Sequence, residues 1–145
     1  MQLLRKVASF GTDPEVLKLI YVQIIRVILE QSCQVWDGGL TQKERRSLER
    51  CQKLCLNIIL PNVKYREALT KLQLEDLQTR RTRICLKFGK INQNEGKVAH
   101  LFHPNKKTHS MNTRHSRTYT TRANTNRFKN SPIVMMQKLL NELKK

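Results

Sequence analysis

Apolar residues recur at helical spacing through residues 1–91, and no useful stretch alternates apolar and polar residues with period two. A chain patterned this way has stripes to bury between helices and no material for a sheet, so the expected fold class is all-α. Local start and stop signals place the helices. Asp13-Pro14-Glu15 reads as a helix start: the Asp side chain accepts orphan amide hydrogens, Pro presets φ, and Glu favours the positive end of the dipole. That helix should run to about Cys33, with Val16, Leu17, Ile20, Ile24, Val27 and Ile28 on the 3.6 period, and Trp36 with Gly38-Gly39 marks the following turn. Thr41-Gln42-Lys43-Glu44 fits a capping box, and its helix should continue to about Leu60, where Pro61 stops it. Tyr65 to Lys71 reads as one or two turns, and Glu75 to Ile91 as a longer helix with Leu77, Ile84, Phe88 and Ile91 on one face. Leu3, Leu4, Val7 and Phe10 form a short stripe near the start; Met1 to Gly11, with Arg5, Lys6 and Ser9 and no acid, also suits a mitochondrial presequence. At the other end, Ser131-Pro132 repeats the start signal, and Ile133, Met136, Leu140 and Leu143 predict a short amphipathic helix over 132–145, closed by Lys144 and Lys145.

Charge narrows the function. Lys and Arg number 28 against 11 Asp and Glu, a net of +17 in 145 residues, so a polyanion is the expected partner, nucleic acid ahead of an anionic membrane. The length allows one domain and excludes a polymerase with fingers, palm and thumb. No membrane span is expected, because the longest apolar stretch, Val16 to Leu29, is interrupted by Lys18, Gln23 and Arg26. Cys33, Cys51, Cys55 and Cys85 form no CxxC and suit reduced thiols in a nuclear or cytoplasmic protein. Splitting at Asn92 gives 17 basic against 9 acidic residues before it, a net of +8, and 11 against 2 from there on, a net of +9. The expected organisation is a helical body over 1–91, a basic, poorly ordered segment over 92–131, and the closing helix over 132–145.

Two helices carry the candidate contacts. At 100° per residue, Lys43, Arg46, Arg50 and Lys53 cluster on one side of the Gln42–Leu60 helix, roughly opposite Leu48, Cys51, Cys55, Ile58 and Ile59. Arg80, Arg83, Lys87 and Lys90 form a second stripe beside the apolar face of the next long helix. Such stripes suit a phosphate backbone, and they equally suit solvated outer faces. Arg81 falls within the apolar face of its helix; it either packs its stem and pairs with Glu75, Asp76 or Glu49, or contacts phosphate. In the basic segment, Lys97, Lys106, Lys107, Arg114, Arg117, Arg122, Arg127 and Lys129 interleave with Phe102, Tyr119 and Phe128, a composition that suits single-stranded nucleic acid or a merely soluble linker. His100, His103, His109 and His115 have no neighbouring cysteine and no zinc spacing, and no GxSxG, HExxH, GxxxxGK[ST] or YxDD occurs. No metal, cofactor or active site is therefore expected.

The order of segments carries a family resemblance. Leu4-Arg5-Lys6 to Phe10-Gly11, Ile25 to Glu30, Val35-Trp36, Gly39-Leu40-Thr41 and Leu48-Glu49-Arg50-Cys51-Gln52-Lys53 resemble the region downstream of the palm in jockey-like non-LTR retrotransposon reverse transcriptases. Ile58-Ile59-Leu60, Tyr65 to Leu69, Leu74 to Leu77, Arg80-Arg81, Leu86-Lys87-Phe88 and Asn126 to Ile133 through Leu139 to Asn141 continue the likeness over nearly the whole chain. The resemblance implies a small thumb-like helical bundle with a C-terminal extension that holds RNA or an RNA–DNA hybrid beside a polymerase palm. That family's palm binds divalent metal through aspartates that no residue here matches, so catalysis is not carried over. A noncatalytic nucleic-acid-binding fragment is the expected function. The alternative is an interaction module that packs against a separate or missing palm, and Met1 lying inside the first matching helix suits a truncated copy or gene-model fragment.

Overall fold

The computed structural model describes residues 1–94, 97–102, 120, 122 and 124–143, with backbone alone at 94. These residues are helical, with no strand among them. In chain order the helices are α1 (Gln2–Ala8), α2 (Pro14–Ile20), a π-turn (Tyr21–Ile25) that leads into α3 (Arg26–Glu30), α4 (Cys33–Trp36) with a 3-10 turn (Asp37–Gly39), α5 (Gln42–Ile59), α6 (Tyr65–Lys71), α7 (Leu77–Asn94), a second 3-10 turn (Ala99–Leu101), α8 (Asn126–Lys129) and α9 (Pro132–Glu142). The expected spans of the helices at 42–60, 65–71 and 75–91 are matched to within a few residues. Among the described residues no helix is long and apolar enough to cross a membrane.

Local chemistry explains several ends. At α5 the Thr41 amide donates to Glu44 Oε2 at 2.7 Å and the Glu44 amide donates to Thr41 Oγ1 at 3.3 Å, the reciprocal pairing of a capping box. The Thr41 amide and hydroxyl hold the exposed Glu44 carboxyl below its ordinary range. Asp76 caps α7, accepting the Thr79 amide at 2.9 Å. Asp13 departs from expectation: Pro14 takes the first helical position, but the Asp13 side chain makes no cap bond. The Val16 and Leu17 amides are satisfied instead by the Asp13 main-chain carbonyl, both at 3.1 Å.

The long helix from Pro14 departs further. It stops at Glu30 rather than Cys33, because Ser32 adopts a left-handed φ of 52°. Within it, the π-turn adds about one residue to a turn and rotates everything downstream by roughly 100° relative to a continuous α-helix. The core side therefore runs Leu17, Tyr21 and Ile25, with Ile24, Val27 and Ile28 turned outward; Val16 and Leu19, ahead of the π-turn, are exposed as well, and the five are exposed by 46–67%. Four of the six residues expected in the core thus face outward. In α1, Leu4 is buried and Val7 packs against the core, but Leu3 and Phe10 are exposed.

Two compact units divide the described residues. The first takes residues 1–31 and 41–81. Its core joins Leu4, Leu17, Tyr21, Cys55, Leu56, Ile59, Ala68 and Leu72, each fully buried leucine or isoleucine worth roughly 1.5–3 kcal/mol. A polar chain crosses this core: the Tyr21 hydroxyl donates to Gln52 Oε1 at 2.7 Å, and Gln52 Nε2 donates to the Tyr65 hydroxyl at 3.1 Å and to the Glu75 carbonyl at 2.9 Å. The Tyr65 hydroxyl donates in turn to Glu49. Burial, reinforced for Tyr65 by its bond to Glu49, raises the pKa of both phenols.

The second unit takes residues 32–40 and 82–145. Phe102, Met136 and Leu140 form its cluster, with Phe88, Val98, Ile133 and Met135 against them. Leu143, expected on the same stripe of α9, is exposed. Glycine permits a close approach here: a Cβ on Gly38 would stand 2.5 Å from the Asn130 carbonyl oxygen. The buried side of α7 runs Leu77, Arg81, Cys85, Gly89 and Asn92, leaving Ile91 exposed. Cys33, Cys55 and Cys85 are buried, and no disulfide joins the four cysteines.

Candidate nucleic-acid interface

The first cation row stands where the helical period placed it. Lys43, Arg46, Arg50 and Lys53 are exposed on α5, and none of them forms an ion pair among the described residues. The chain leaves α5 at Pro61 and turns at Asn62, whose φ is 64°, so that α6 packs against α5. Between these two helices lies a groove of about 610 Å³. Arg46, Arg50 and Lys53 supply its charged rim, Leu54, Leu56, Val63 and Ala68 its apolar floor, and Tyr65 and Asn57 the remaining wall. Lys43 is not among its lining residues. Glu49 is the acid of this groove, and its Oε1 accepts the Tyr65 hydroxyl.

A second hollow of about 490 Å³ shares Arg46, Glu49 and Tyr65 and adds Arg45 and Arg66. Arg66, Tyr65 and Asn57 were not candidates in the sequence. Their signal was present in the Pro61-Asn62 turn, which returns α6 alongside α5, but a period calculated on one helix cannot show what a neighbouring helix brings.

The second cation row has a different fate. Arg83, Lys87 and Lys90 are exposed on α7, whereas Arg80 Nε lies 2.6 Å from Glu30 Oε1, which also stands 3.9 Å from Arg26 Nε. The bond to Glu30 raises the Arg80 pKa, while burial and the nearby Arg80 charge lower that of Arg26. Glu30 is thus shared by two guanidinium groups, and Arg80 is committed to the fold. Arg81 has no solvent exposure, so its guanidinium sits inside the structure and not on a phosphate-facing surface. Burial works against ionisation of Asp76, yet bonds from Thr79 together with the Arg81 charge hold its carboxyl below the ordinary range.

Of the remaining candidates, Arg122 and Arg127 are exposed, as are Lys97, Lys129 and His100. Lys106, Lys107, Arg114, Arg117, Tyr119, His103, His109 and His115 lie outside the described residues, as do Lys144 and Lys145. Among the described residues no three His, Cys, Asp or Glu side chains gather as a metal site. No family model, curated protein or solved structure matches the chain.

Proposed function

We propose that this chain is a noncatalytic nucleic-acid-binding module that holds RNA or an RNA–DNA hybrid by its phosphates, in the manner of the thumb and C-terminal extension of the jockey-like reverse transcriptases it resembles. One observation carries the reading: Arg46, Arg50 and Lys53, exposed and without ion-pair partners among the described residues, converge on a single groove whose acid is engaged by Tyr65. A phosphate backbone is the ligand such a row neutralises, and the net charge of +17 would draw it in. Arg83, Lys87, Lys90, Arg122 and Arg127, exposed in the second unit, offer further cations to a polyanion, and Arg80 supports the fold.

Binding is tested by titrating RNA and an RNA–DNA hybrid at low and rising salt, with wild type and R46E/R50E/K53E. The reading requires salt-dependent binding that the triple variant reduces about a hundredfold, with the salt slope falling by about two. Absence of binding at low salt, or indifference to the triple variant, overturns it.

A second reading draws on the exposed stripe of Val16, Leu19, Ile24, Val27 and Ile28. Clustered apolar side chains left in water mark a surface that another polypeptide covers, such as a polymerase palm. Light scattering tests it: concentration-dependent self-association that Ile24→Lys and Ile28→Lys abolish supports this reading, and a monodisperse wild-type monomer at high concentration counts against it.

A further inference from the structure

The α5–α6 groove has more apolar wall than a phosphate contact needs. Arg46, Arg50 and Lys53 span two helical turns, about 10 Å along the axis, enough to meet successive phosphates of one strand. Behind that row the floor is Leu54, Leu56, Val63 and Ala68. A double helix laid on the cations would leave this floor facing water, since its bases are stacked and its outward edges polar. An unpaired base, turned away from its own backbone, would cover it. The groove's volume, about 610 Å³, falls among clefts that enclose small organic ligands, roughly 300–1,000 Å³.

Two further features give the site a direction. The Tyr65 hydroxyl is tied to Glu49 and to Gln52, which is buried, so the ring is held as a fixed wall. The Glu49 carboxylate beside that ring repels phosphate, which keeps the backbone off the Tyr65 wall and leaves that wall to the base.

We infer that this groove is a seat for an unpaired nucleobase, and that the module selects single-stranded over double-stranded nucleic acid. The inference rests on the phosphate-binding reading above and adds the strand state of the ligand. Stacking and apolar cover of one base correspond to about a tenfold preference.

Four probes of equal length separate the possibilities by fluorescence anisotropy: single-stranded RNA of mixed sequence, the same RNA as a duplex, its RNA–DNA hybrid, and an abasic strand with the same phosphates. The single strand is expected to bind about tenfold more tightly than the other three. Leu54 is partly exposed on α5, so Leu54→Gln removes floor without adding charge or opening the core. It should erase the preference over the abasic strand, bringing the intact single strand down to abasic affinity. Cross-linking of 4-thiouridine RNA should map to peptides containing Leu54, Val63 or Tyr65. Equal affinity for all four probes, with no effect of Leu54→Gln, overturns the base seat and leaves the phosphate reading standing. Loss of all binding, or binding indifferent to R46E/R50E/K53E, overturns both.

Discussion

Helices α5 and α7 each carry a row of four cations at i, i+3, i+7 and i+10 among their five, and they use the rows differently. On α5 the row projects from a helix whose opposite side is apolar apart from Gln52, so each of its four members is left to the solvent side. On α7 the buried side contains Arg81, and the first member of the stripe, Arg80, is drawn to Glu30. Equal charge at equal spacing therefore does not make equal surfaces. What decides availability is whether an acid elsewhere in the chain has claimed the cation, and a groove adds a place for the rest of a ligand to go.

The comparison breaks first at Glu30. Replacing it by Gln removes the carboxylate paired with Arg26 and Arg80, whose side chains are only 13% and 27% exposed, and leaves the Glu75 charge as their nearby acid. Glu30→Gln should cost about 3 kcal/mol in chemical denaturation, the low end for a broken buried ion pair because Arg80 keeps some water. An unchanged stability would mean that Arg80 is available to ligand after all. Next come the two rows themselves: R83E/K87E/K90E should weaken RNA binding by no more than about fivefold, against about a hundredfold for R46E/R50E/K53E. Equal losses would erase the distinction between the helices. The α5 triple should leave melting nearly unchanged, since its substituted side chains are exposed and outside any ion pair among the described residues.

The inward side of α5 gives smaller effects. Gln52→Leu keeps the volume but removes the acceptor of the buried Tyr21 hydroxyl and the amide donor to Tyr65 and the Glu75 carbonyl, while Tyr65 keeps its bond to Glu49, at a cost of about 2 kcal/mol. The same network makes stability fall at alkaline pH. Because both phenols have raised pKa values when folded, their contribution is complete below the unfolded tyrosine pKa of about 10 and declines above it, as the unfolded chain releases protons that the folded chain retains. Denaturation midpoints between pH 8 and 11 should drop, and Tyr21→Phe should make the decline shallower. Thr41→Ala, which opens the capping box, should cost about 1 kcal/mol and leave RNA affinity unaltered.

Legibility in the sequence followed the range of the interaction. The capping box at Thr41 and Glu44, the stop at Pro61, and the positions of Lys43, Arg46, Arg50 and Lys53 all depend on neighbours within a turn or two, and all could be read directly. Arg81 was flagged by its place on an apolar face, and its burial follows from that place. Arg80 could not be separated from Arg83, because its acid lies fifty positions earlier. Gln52, between Cys51 and Lys53, carries no local signal of burial; it is buried because two tyrosine hydroxyls and a carbonyl from other elements meet its amide. The groove shares this origin, since its floor comes from α5 and α6 together.

The π-turn at Tyr21–Ile25 leaves the two halves of one helix out of phase, as if a residue had been slipped into a screw thread. Deleting one residue there would restore the thread while leaving Ile25 and the Arg26–Glu30 pair on the faces they now occupy, because the widened turn already absorbs the extra residue. Straightening the turn without a deletion would instead swing Ile24 and Ile28 inward and carry Glu30 away from Arg80. A related chain shorter by one residue at this point could therefore keep the same partner for Arg80.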